Sequence, residues 1–190
     1  MTLLVIGLII FLASHSVRIF ADDWRTATHA RIGAGAWKGA YSVVSLIGFA
    51  LIVWGFGLAR ASDAQLWSPP VWTRHLAAIV MLASAILIAA FLTGGNHVAA
   101  AVRHPMLWGV ALWSAAHLMA NGGAADVVLF GAFLLWSLAD LISSYRRDGA
   151  VAPASAARTL VAFLLGAAIW AAFVFGLHLW LFGVAPLPLG

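Results

Sequence analysis

Long apolar runs dominate the chain, and short polar breaks separate them. Runs near residues 2–20, 37–59, 72–93, 105–121, 124–143 and 159–184 each carry few charges. A membrane-crossing helix needs about 20 apolar residues, within a range of about 17 to 25. The pattern therefore predicts an all-α, polytopic transmembrane bundle of about six helices. Strands are excluded because the runs are too long and do not alternate in polarity. The breaks use turn chemistry: Ser68-Pro69-Pro70, Thr93-Gly94-Gly95-Asn96, Asn121-Gly122-Gly123, and a polar linker over 146–153. No internal repeat interrupts the pattern. No polar stretch is long enough for a second domain, so residues 1–190 form one membrane domain. The first run has no basic start and no small-residue cleavage site. It is expected to stay as a helix rather than be removed as a signal peptide.

Composition agrees with this picture. The chain has 190 residues, 64% apolar and only 8% charged, where a soluble domain carries about 25% charge. Cysteine is absent, which excludes disulfides, thiolate ligands and a cysteine nucleophile. The net charge of +4 comes from few residues and points to no nucleic-acid partner. It is better explained by membrane orientation. The connections after the first, third and fifth helices, with their flanks, hold Arg18, Arg25, Arg31, Lys38, Arg103, Arg146, Arg147 and Arg158. The other side holds only Arg60 and Arg74. The positive-inside rule then makes the first set cytoplasmic and leaves both termini outside. In a bacterium this means a multi-pass protein of the inner membrane with periplasmic ends. Trp24, Trp37, Trp67, Trp72 and Trp180 fall near helix ends, as an interfacial aromatic belt requires.

Polar groups within a membrane are costly, so they are candidates for function. Seven histidines are the anomaly here. His29 falls in a charged loop, His97 in a loop beside Asn96, and His75 near a helix end beside Arg74. Solvation or the interface accounts for these three. His178 lies deeper in an apolar helix, where packing or a hydrogen bond to backbone is the ordinary role. His15, His104 and His117 stand out. Arg18 follows His15 by one helical turn, and a neighbouring cation favours the neutral imidazole that can bind a metal. Arg103 and His104 precede Pro105, which suits a first helical position. His117 follows His104 by 13 residues, about 220° around a helix, so the two cannot ligate one metal from one straight helix. Structural zinc usually takes four ligands including cysteine. Di-iron bundles need carboxylates that this chain lacks. Haem needs only one or two axial groups in an apolar slot, and Trp108, Gly109, Trp113, Ala115 and Ala116 could form one around His117. Small residues also line ordinary helix interfaces, so periodicity leaves both possibilities open. Asp126 and Asp140, near opposite ends of the fifth helix, suit structural pairing or interfacial exposure.

The stretch Arg103-His104-Pro105-Met106-Leu107-Trp108-Gly109, continued by Ala115-Ala116-His117-Leu118-Met119-Ala120-Asn121-Gly122, resembles the NnrU family. His15-Ser16-Val17-Arg18 and Leu129-Phe130-Gly131 extend the resemblance over nearly the whole chain. That family takes its name from bacterial denitrification clusters, tied to nitrite and nitric oxide reduction. The plant 15-cis-zeta-carotene isomerase is a distant relative that binds haem b. The resemblance implies non-covalent haem b with iron ligands at His15 and His117. It also implies a cofactor environment containing Arg18, Arg103, His104, Trp108, Ser114 and Asn121. Partners would be the lipid bilayer, haem, and nitric oxide or an apolar polyene, with a role as sensor or accessory factor. The isomerase has cysteine three residues before the second histidine. Ser114 stands there in this chain, which excludes thiolate ligand exchange and speaks against the alternative, a haem-dependent polyene isomerase. Membrane methyltransferases share an Arg-His-Pro-x-x-x-Gly element, but they need a glutamate segment and this chain has no Glu. Depth along the helices favours His104 over His117 as the partner of His15, so His104 is the alternative ligand.

Overall fold

The computed structural model describes residues 1–62, 64–147 and 153–187. Its elements are α1 (Thr2–Phe20), α2 (Asp22–Ala61), α3 (Trp72–Thr93), α4 (His97–Val102), α5 (Pro105–Ala120), α6 (Ala124–Arg147), α7 (Ala156–Ala172), a π-helical turn (Phe173–Leu177) and α8 (His178–Phe182). Five helical stretches are long and apolar enough to cross a membrane, with α7, the π-turn and α8 together forming the last. The protein is a helical membrane bundle. The sixth apolar run is α5, at 16 residues.

Side-by-side packing runs in the order α2, α1, α6, α5, α3, α7. Small residues set the closest approach, as is usual between membrane helices. A Cβ on Gly55 would stand 2.3 Å from the Leu4 backbone nitrogen, and one on Gly7 2.6 Å from that of Ile52. On the far side, a Cβ on Gly166 of α7 would meet the Ile86 backbone of α3 at 2.5 Å. The Ser84 hydroxyl of α3 donates to the Gly109 carbonyl of α5 at 2.7 Å. The core around α1, α2 and α6 contains Leu4, Leu8, Ile52, Leu129 and Phe130.

Several elements differ from the sequence pattern. The second helix begins at Asp22 rather than at residue 37, so His29 lies in a helix and not in a loop. Asp22 and Asp23 occupy its first turn, where acidic side chains favour helix initiation. This polar segment meets the apolar span at Gly33, whose φ of 83° and ψ of 160° break the helix. That conformation is open to glycine and closed to most other residues. His97 starts the short helix α4. Asn96 caps it: fully buried, it accepts from Ala99 N at 2.8 Å and donates to Ala90 O at 2.7 Å. The fifth span continues past residue 143 to Arg147, because Arg146 and Arg147 suit the negative end of a helix. The proposed linker lies partly outside the described residues. The last span begins at Ala156, and the π-turn interrupts it.

Candidate functional site

Both leading histidines are fixed in the same way. His15 Nδ1 lies 2.7 Å from the Phe11 carbonyl, and His117 Nδ1 lies 2.8 Å from the Trp113 carbonyl. Each carbonyl is four residues back on the same helix and can only accept. Nδ1 therefore carries a proton in both rings, and Nε2 is the only ring nitrogen that can offer a lone pair. Metal-binding imidazoles have this tautomer and this kind of outer support.

Each ring sits among aromatic side chains. His15 stacks on Phe11 at 4.1 Å between ring centres. It also meets Tyr41 at 5.2 Å and the edge of Trp136 at 6.0 Å. The Trp136 Nε1 is buried without a hydrogen-bond partner. His117 stacks on Phe130 at 4.4 Å and meets Trp113 at 5.3 Å. Asn121 donates from Nδ2 to the His117 carbonyl at 2.9 Å, closing the helix end. Ser114, one turn before His117, is fully buried, and its hydroxyl has no partner.

The two boxes lie at different levels. On α6, Phe130 contacts His117 and Trp136 contacts His15. Those positions are six residues apart, about 9 Å at the helical rise. Phe11, Phe133 and Trp113 stand between them, with ring centres 5.8 and 5.5 Å apart in succession. The structure does not bring His15 and His117 together.

It brings His178 to His117 instead. Their ring centres are 6.4 Å apart, with 23° between the planes. His178 Nδ1 lies 2.7 Å from the Val184 carbonyl, so this ring too keeps Nε2 as its acceptor. The backbone hydrogen bond expected of His178 is present. Its position beside His117 was hidden from the sequence, because a π-turn precedes it.

The remaining candidates form a polar end of the bundle. Tyr145 of α6 donates to Val102 O at 2.7 Å and accepts from Trp108 Nε1 at 3.0 Å. Its ring meets His104 at 5.0 Å. These contacts hold the turn in which Arg103 has a φ of 59°. Arg103, His104, Asp140 and Ser144 help line a cleft of about 210 Å³. Arg18 is exposed and lies 3.8 Å from Asp22, while its carbonyl accepts from Arg147 at 3.3 Å. Neither Arg18 nor the Arg103 turn shares the level of His117.

No group of three or more histidine or carboxylate side chains able to hold a metal occurs among the described residues. A pair of imidazoles is the strongest donor set. Neither the curated proteins nor the solved structures provide a match to this chain. The family model described as NnrU protein matches residues 3–186, and so the chain belongs to the NnrU family.

Proposed function

We propose that the protein binds haem b non-covalently in the inner membrane of a bacterium and serves nitrite and nitric oxide metabolism as a sensor or accessory factor. The observation that carries this reading is the His117 box. Trp113 O fixes the tautomer, Phe130 stacks on the ring, and Nε2 would be the atom that holds the iron. The residues fit the group at this position: an apolar, aromatic setting with one prepared imidazole. Haem bound here would supply a redox centre and a binding site for nitric oxide. His117 would hold the group, while Trp113 and Asn121 fix the imidazole and the end of its helix. Arg103 lies on the side that the positive-inside rule makes cytoplasmic. A propionate that reaches that side would find a bidentate cation there.

The test is a spectrum of protein purified from haem-sufficient cells. A Soret band is expected, with a pigment that leaves the protein in acidified organic solvent because no cysteine can form thioethers. His117→Ala should lose or strongly shift that band. A colourless purified protein overturns the haem reading. Expression in a carotenoid-accumulating host tests the polyene alternative, and conversion of cis-carotene at catalytic turnover would replace the sensor role by an isomerase.

A further inference from the structure

We propose that His178 is the second axial ligand, so that His117 and His178 hold the haem iron between them. This rests on the haem reading above and assigns the partner of His117. Three observations support it. The first is separation. A metal–nitrogen bond of about 2.0 Å on each side, plus roughly 1.1 Å from each nitrogen to its ring centre, places two ligating imidazoles about 6 Å apart. The observed distance is 6.4 Å. The two ring planes lie within 23° of each other.

The second is orientation of the rings: Trp113 O and Val184 O each engage Nδ1, which leaves Nε2 as the nitrogen of each ring that is not committed to backbone. The third is the backbone. Trp170 of α7 faces α3, donating from Nε1 to Ala78 O at 2.8 Å. His178 follows eight residues later, which in an unbroken α-helix is about 80° off that face. The π-turn at Phe173–Leu177 absorbs one residue and returns His178 to within about 20° of it. π-Turns of this kind are frequent at functional sites. His15, about 9 Å away in level, is left to its own aromatic box.

The experiment compares absorption and electron paramagnetic resonance spectra of the full-length protein with those of three variants. The unaltered protein should be six-coordinate and low-spin. His178→Ala should keep its haem but become high-spin, and added imidazole should restore the low-spin spectrum. His178→Met should stay low-spin and acquire a methionine–iron charge-transfer band. This variant decides the matter if the alanine variant loses its haem. His15→Ala should leave the low-spin spectrum unchanged. A low-spin spectrum unchanged in His178→Ala, a methionine variant without the new band, or a high-spin unaltered protein overturns the His178 assignment while the haem reading stands. Absence of haem from the unaltered protein overturns both.

Discussion

At the scale of single residues, some polar side chains inside this bundle are satisfied by hydrogen bonds, and others, such as Ser114 and Trp136, stand unpartnered beside the histidines. Asn96 is the clearest satisfied case. It has no exposed surface and bonds Ala90 O, Thr93 Oγ1 and Ala99 N. One side chain thus ends α3 and begins α4. Asn96→Ala should cost about 1–3 kcal/mol, because buried groups on both helices lose their partner. A lower unfolding midpoint in detergent is the expected result, and an unchanged midpoint would mean that water replaces the amide. His15 and His117 are legible as candidates because intramembrane imidazoles are rare. Their tautomers are not legible, since a hydrogen bond to the carbonyl four residues back depends on the side-chain rotamer and not on spacing alone.

At the scale of elements, glycine contacts and one π-turn decide the packing. Gly55 and Gly7 let α1 and α2 approach at backbone distance, so Gly55→Val must push Leu4 away. Overpacking of this kind costs about 1–3 kcal/mol, and Gly55→Val should show it as a lower midpoint, whereas Gly57→Val, with open space around it, should change little. The π-turn makes a sharper prediction. Deleting Gly176 removes the extra residue and restores a regular helix. His178 then follows Trp170 by one residue fewer and stays within about 20° of the same face, so the low-spin spectrum should survive the deletion. A shift to the spectrum of His178→Ala would show that this helix register does not position the ligand. Apolar length predicts the spans well, because hydrophobic runs are long and their breaks are strong. It misses the polar start of α2, where Asp22 and Asp23 on the helix dipole rather than hydropathy favour the helix. It also misses the π-turn, which changes no residue's hydropathy.

At the scale of the whole molecule, one end gathers the positive charge. Arg147 of α6 reaches the Arg18 carbonyl of α1, and Tyr145 holds the turn that contains Arg103. Ser155 N donates to Gly95 O at 2.9 Å, next to Arg158 at the start of α7. Arg60, stacked over Phe56 at 5.5 Å, belongs to the other end. If α5 crosses along with the five long spans, this bias predicts that reporter fusions at the C-terminus are active only outside the cytoplasm. Activity inside would require an odd number of crossings or the opposite orientation.

The short helix α5 has a consequence for water. Its 16 residues span about 24 Å, less than the roughly 30 Å hydrocarbon thickness. Its neighbours α3 and α6 are longer, at 22 and 24 residues, and the turn Asn121–Gly123 joins α5 to the start of α6. Irregular backbone is tolerated at membrane depth only where protein covers it. The cover is a plug drawn from the connection between α2 and α3. Leu66 N donates to Gly122 O at 2.8 Å, and Ala124 N donates to Ala64 O at 3.0 Å. Gly122 has no room for a Cβ, which would lie 1.9 Å from Trp67 O. The plug sits over the end of α5 that carries His117. These two hydrogen bonds tie the connection between α2 and α3 to the turn that follows α5, so the backbone next to His117 is closed by protein rather than by water.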